Sequence, residues 1–312
     1  MLNVTMFGTV FMDIKGFAEQ NYDPVGRNLG HVKFIHGGVG RNVAENLGIL
    51  GVPTTFVSTV DDNANGQEIE NRLLENEVKT DYLKKVPADG MGMWMALLAK
   101  HGELVGSISK MPNLQFFADI VNNQGEEIIT KASHVALDID LNEEITKKVI
   151  AIAKEKNKPI YGLPGNLSVI LNNKDLLREM ECFVCNDIEA AKIFAVEIEL
   201  GDVAKITAEL TKFAKCHNIK AMVVTMGEKG AVYFCRGMEQ AQYHSVQPVE
   251  MVDSTGAGDA FFSGTISALV QGKSIDVAVE YGSKVAAHTI QSLESTCCGF
   301  IKDQGYYCEF SK

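Results

Sequence analysis

Apolar runs of four to six residues alternate with longer stretches of helical spacing through the second half of the chain. Residues 134–137, 159–162, 182–185 and 220–225 are short and apolar, and each reads as a buried strand. Between them, residues 114–121 and 142–156 repeat apolar positions at helical intervals. This alternation predicts an α/β fold, with a mostly parallel sheet and helices on both faces. Residues 4–11 and 54–60 read as further strands, residues 67–78 as a helix, and Val43, Leu47 and Leu50 fall on one face of another. Residues 233–236 and 242–247 read as strands, and two helices close the pattern, one running to about 271 and one over 274–292.

A different pattern interrupts this order. Residues 17–30 are polar and loop-like, and residues 31–36 alternate weakly, as a strand does. Residues 91–99 and 103–109 flank Lys100-His101-Gly102, a hairpin signal. The stretch Gly92-Met93-Trp94-Met95-Ala96-Leu97-Leu98-Ala99 is apolar on both faces, so both should be covered, one by substrate and the other by a partner chain. A strand inside the main sheet is the alternative for this stretch.

Composition narrows the class. A length of 312 residues fits one large domain with an insertion, or two domains. A net charge of −11 leaves no basic excess for nucleic acid or an anionic membrane. No apolar run approaches the roughly 18 residues of a membrane helix, and the first residues read as a strand, not a signal peptide. Seven scattered cysteines suggest a reducing, cytoplasmic setting, with Cys182 and Cys185 as core thiols and not a metal pair. The acids of Asp61-Asp62-Asn63 lack calcium-loop spacing and read as a turn before a helix.

The chemistry concentrates in Asp253-Ser254-Thr255-Gly256-Ala257-Gly258-Asp259, which runs into an apolar helix. Glycine lets backbone N–H groups approach a ligand, and a helix start presents unpaired N–H groups and the positive end of its dipole. Together these make an anion site. Asp259 would repel that anion, so it has a separate task, taking a proton from an attacking hydroxyl. A glycine-rich turn capped by an acid is the bland alternative. A second glycine cluster, Gly37-Gly38-Val39-Gly40-Arg41-Asn42, precedes another helix, and Asp13 follows the first strand. Arg41 reads either as a cation near the site or as a solvated helix residue. Asn186 and Glu189 stand three apart at a strand-to-helix junction, where they can cap the helix or hold a hydrated metal.

The whole run from Asp253 to Gly264 resembles the C-terminal signature of the PfkB-type carbohydrate kinases, the ribokinase family, departing only at Ser254. Gly37-Gly38-Val39-Gly40-Arg41-Asn42-Val43-Ala44 resembles the family's N-terminal signature. The resemblance covers nearly the whole chain. It implies a ribokinase-like α/β fold over residues 1–312, with residues 14–36 and 89–112 forming a small β lid that closes the sugar site and supports a homodimer. It implies ATP as donor and a sugar or nucleoside as acceptor. By the same resemblance Asp259 is the catalytic base, and Gly256, Ala257 and Gly258 form the anion hole. Asp13, Gly37, Gly38 and Asn42 hold the acceptor. Asn186, Thr225, Gly227 and Gly230 line the nucleotide, with Ser283 at the adenine pocket. Glu189 handles Mg²⁺ through water, and Asp253 and Thr255 match the pair around which members bind a monovalent cation such as K⁺.

Two departures stand out: Gly162-Leu163-Pro164-Gly165-Asn166 lacks the family's acid, and Cys297-Cys298-Gly299 does not match its cation loop. The lid and acceptor loops are most similar to the pseudouridine kinase branch, which implies a ribose 5′-hydroxyl as acceptor. A ribokinase- or fructokinase-like sugar kinase is the main rival. A catalytically silent binding protein would show a damaged anion hole or a missing base, and neither is present. A dinucleotide oxidoreductase needs Gly-x-Gly-x-x-Gly after the first strand, where only Gly8 stands.

Overall fold

The computed structural model describes residues 2–100 and 103–300. In chain order the elements are β1 (Val4–Phe7), β2 (Phe11–Ala18), β3 (Gly30–Gly37), α1 (Val39–Ile49), β4 (Thr54–Asp61), α2 (Ala64–Glu75), β5 (Lys79–Val86), β6 (Gly92–Leu98), β7 (Leu104–Lys110) and α3 (Leu114–Lys131). They continue with β8 (His134–Asp138), α4 (Glu143–Glu155), β9 (Ile160–Leu163), α5 (Leu167–Asn172), β10 (Cys182–Asn186), α6 (Asp187–Phe194), α7 (Val203–Cys216), β11 (Ala221–Thr225), β12 (Ala231–Cys235), β13 (Gln242–His244), α8 (Ala257–Leu269) and α9 (Ile275–Thr289).

Nine strands form the main sheet, in the order β13-β12-β11-β10-β9-β8-β1-β4-β5. Pairing is parallel from β11 to β5, and β12 and β13 add antiparallel at one edge. The central strands are apolar on both faces because helices cover both. Met6 faces a core shared with α1, α2, α8 and α9, while its neighbour Phe7 faces a core shared with α3, α4, α6 and α7. The same alternation separates Cys182 from Cys185. They lie on opposite faces, in opposite cores, as buried free thiols. Residues 79–86, for which the sequence reading had no element, form the edge strand β5, and its lysines suit an edge that must not pair further.

The four-stranded second sheet, β3-β2-β6-β7, is the small sheet that the resemblance implied. One expectation fails here. Residues 4–11 are not one strand, because β1 ends at Phe7 and β2 begins at Phe11 in the other sheet. The chain leaves the main sheet at Gly8, where an added Cβ would lie 2.5 Å from the Gly40 Cα. Asp13 is therefore the third residue of a small-sheet strand and does not end a main-sheet strand. The expected hairpin between β6 and β7 has both of its strands, while His101 and Gly102 of its turn, like Cys308, lie outside the described residues.

Registers define the two faces of the small sheet. Ile35, Asp13, Trp94 and Ser109 form one row, followed by Lys33, Lys15, Ala96 and Ser107. Asp13, Lys15 and Ala96 at the centre of these rows are buried. The opposite face carries the row Phe34, Ile14, Met95 and Ile108, in which Phe34 is 68% exposed and Ile108 72%.

Candidate active site

Helix α8 starts at Gly256, whose φ of 80° is left-handed. An added Cβ would lie 2.1 Å from the Ser295 carbonyl oxygen, so glycine is required twice over. At Gly258 an added Cβ would meet nothing within 4 Å, so this face of the turn is open to a ligand. The Ala257 N–H donates to Ser254 O at 3.2 Å, whereas the Gly256 and Gly258 amides have no hydrogen-bond partner among the described residues. Asp259 occupies the first turn of α8, with Oδ2 accepting from Asn42 Nδ2 at 2.7 Å. Burial pushes its carboxyl up to about 6, against the pull of the Asn42 bond and the Arg41 charge, with Asp13 adding to the rise.

Asn42 reaches this position from α1, and its Oδ1 accepts from Ser295 Oγ at 3.2 Å. Arg41 is fully buried, which removes the solvated-residue reading. It pairs with Glu45 at 2.6 Å and donates to the carbonyls of Gly37 and His36 and to Ser295 Oγ. Burial pushes the Glu45 carboxyl up, but Arg41 and Arg72 outweigh it and hold it below its ordinary value. Thr296 Oγ1 donates to Glu45 Oε1 at 2.9 Å, and the Cys297 N–H donates to Asn46 Oδ1 at 2.7 Å. Residues 295–297 thus bolt α1 beneath the turn before α8. Only a mismatch to the family's tail pointed to this segment in the sequence.

Asp13 faces inward from β2. Burial raises its carboxyl to about 6, while Lys15 and Arg41 pull the other way. Gly37 leaves room for it, since an added Cβ there would lie 2.5 Å from Asp13 Oδ2. Gly38, with φ 94°, supplies the N-cap of α1. Lys15, which has no assigned role in the sequence reading, points the same way as Asp13 and donates to Thr255 Oγ1 at 2.7 Å. Asp138, also unassigned, lies at the end of β8. Its Oδ2 accepts from the Thr9 N–H, the Thr9 hydroxyl and the Gly40 N–H, and burial raises it to about 7. It ties the start of α1 to the end of β1, which sets where Asn42 stands.

The residues expected to line the nucleotide lie on β10, β11, the turn after β11, and α9. Asn186 and Thr225 are register partners at the carboxyl ends of β10 and β11. Asn186 Oδ1 accepts the Glu189 N–H, and Glu189 Oε2 accepts the Asn186 N–H, both at 2.8 Å, a complete capping box. Glu189 Oε1 has no protein donor among the described residues. Burial raises the Glu189 carboxyl, with the Asn186 bond pulling it back. Gly227 opens the short turn after β11 and Gly230 closes it. Ser283 lies inside α9 with its hydroxyl bonded to Val279 O at 2.9 Å. Among the described residues no hydrogen bond joins this group to Asp259, and no cluster of three metal-ligating side chains exists. No helix of the described residues is long and apolar enough to cross a membrane.

This geometry sets the buried Asp259 carboxylate between the open Gly258 face of the turn on one side and Asn42, Gly37 and Asp13 on the other. Residues 1–298 match the family model described as pfkB family carbohydrate kinase, and the chain belongs to that family. It is a phosphotransferase acting on an alcohol group. Over 296 residues it is 35% identical to the guanosine-inosine kinase of Exiguobacterium acetylicum, covering 95% of this chain and 96% of that protein. It is 26% identical to the pseudouridine kinase of Escherichia coli, covering 89% and 87%. Among solved structures it resembles a carbohydrate kinase from Agrobacterium tumefaciens (TM-score 0.78, 24% identity, 97% of this chain and 95% of that one). It also resembles Arabidopsis thaliana ribokinase complexed with ribose and ATP (TM-score 0.77, 22% identity, 94% of each chain).

Proposed function

We propose that the chain is an ATP-dependent nucleoside kinase that phosphorylates the ribose 5′-hydroxyl. The observation that supports the transfer chemistry is the Asn42–Asp259 contact, made by a carboxyl that burial pushes up to about 6, next in the chain to the open Gly258 amide. Asp259 takes the hydroxyl proton as the phosphoryl group leaves ATP, and Asp13 orients the sugar. The Gly256 and Gly258 amides steady the charge in flight. Mg²⁺ fits at Glu189 through water, since Oε1 is turned to no protein donor, and it would neutralise phosphate charge there.

For the acceptor, the 35% identity to a guanosine-inosine kinase over nearly the whole chain favours a purine nucleoside, with pseudouridine second. Trp94 supports a nucleoside of either kind. It is the register partner of Asp13 on the inward lid face, half-buried, and offers a flat ring to a base. The deciding experiment is a panel of guanosine, inosine, pseudouridine, uridine, adenosine, ribose and fructose with ATP, read as ADP release. Turnover of guanosine or inosine, with quenching of the single tryptophan, is expected. Turnover confined to free ribose or fructose overturns the nucleoside assignment.

We also infer a homodimer through the outer lid face, supported by the exposed apolar residues Phe34, Met95 and Ile108, which share a register row with the partly buried Ile14.

A further inference from the structure

Asp253 and Thr255, the pair that the family resemblance assigns to a monovalent cation, are already engaged by protein donors. Asp253 Oδ1 accepts the Thr255 N–H at 2.8 Å and the Thr255 hydroxyl at 2.7 Å. Asp253 Oδ2 pairs with Lys15 Nζ at 3.1 Å, and the same ammonium donates to Thr255 Oγ1 at 2.7 Å. An alkali ion needs several oxygens with lone pairs turned toward it. Here it would share Oδ2 with an ammonium of its own charge. These two residues do not fit a bound K⁺.

We propose that Lys15 is a tethered replacement for that ion. Only 5% of Lys15 is exposed, and a lysine that buried is normally held by a partner of opposite charge. Its ammonium neutralises Asp253 and locks the Asp253–Thr255 turn directly before Gly256. Lys15 stands two residues from Asp13 on the same strand face, so one strand holds both the acceptor and the loop of the anion hole. Lys15 is a positioning residue acting through Asp253 and Thr255. A cation fixed to the lid strand has no bulk concentration to depend on, and its position follows that of the acceptor strand.

The test compares wild type, Lys15→Ala and Lys15→Met in buffers containing KCl, NH₄Cl or choline chloride as the only salt. Two readouts are taken, the thermal midpoint without substrates and kcat with the acceptor that wild type turns over fastest. Wild type should give the same midpoint and kcat in all three salts. Lys15→Ala should lose about tenfold or more in kcat in choline chloride, the scale of a lost charge-assisted hydrogen bond. KCl or NH₄Cl should restore part of that loss and raise the midpoint of this variant. Lys15→Met, which fills the space without charge, should not respond to either salt. A wild type that needs K⁺, a Lys15→Ala variant as active as wild type in choline chloride, or an alanine variant indifferent to both ions in both readouts overturns the proposal. The midpoint needs no acceptor, so an error in the nucleoside assignment would leave this result readable.

Discussion

Asn42 Nδ2 lies 2.7 Å from Asp259 Oδ2, joining the first turn of α1 to the first turn of α8 across 217 residues of chain. One amide therefore connects the helix that follows Gly37 and Gly38 to the Asp259 carboxylate. The bond also favours the charged carboxylate of Asp259 against the effect of burial.

The first prediction concerns pH. Asp259 titrates near 6 and must be ionised to accept a proton, so kcat/KM should fall as pH drops through about 6. Asn42→Ala removes a bond that favours the carboxylate, so the acid limb should move to higher pH by about one unit, the size of a hydrogen bond to a charged group. A limb that stays in place or moves lower would show that Asn42 does not set this titration.

Asp259→Asn keeps the shape of the side chain and an oxygen that can accept from Asn42. Its thermal midpoint should stay close to wild type while kcat drops about 10²–10⁴-fold, the usual share of a general base. Steady-state kinetics with a fold check by circular dichroism decides it, and near-normal turnover would remove Asp259 from the base role.

Gly37→Ala tests the acceptor cradle without removing any polar group. The new Cβ would stand 2.5–2.6 Å from the Asp13 carboxylate atoms, so Asp13 must move. The KM for the acceptor should rise about 10–100-fold, as it should in Asp13→Asn, with the KM for ATP little changed. Equal loss for both substrates would place the damage outside the cradle.

Phe34→Asp or Ile108→Asp puts a charge on the exposed apolar row of the small sheet. Sedimentation should show the wild-type dimer converted to monomer. A monomeric wild type, or variants that remain dimeric, would refute the lid interface.

The signatures at 37–44 and 253–264 were legible in sequence because each is a short, contiguous, glycine-rich run at the start of a helix. Gly256 needs its left-handed φ whatever lies elsewhere. The alternation of strand and helix was equally legible, since apolar runs of four to six residues follow from burial on both faces of a parallel sheet. The break between β1 and β2 was not legible. It depends on Gly8 meeting Gly40, a contact between segments far apart in sequence.

The sequence by itself determined the fold class and the kinase family, because the strand–helix alternation and the two glycine signatures are written in residue types and spacings along the chain. Only the tertiary structure decided what those residues touch. It seated Asp13 on a strand of the small sheet, buried Arg41 in an ion pair with Glu45, and brought residues 295–297 under α1. It also set Lys15 on Asp253 and Thr255, where the family pattern had suggested a free ion. The physical reason is the same in each case. Hydrogen bonds and charge pairs are satisfied by whichever group the packed elements bring within about 3 Å, and spacing along the chain does not carry that distance.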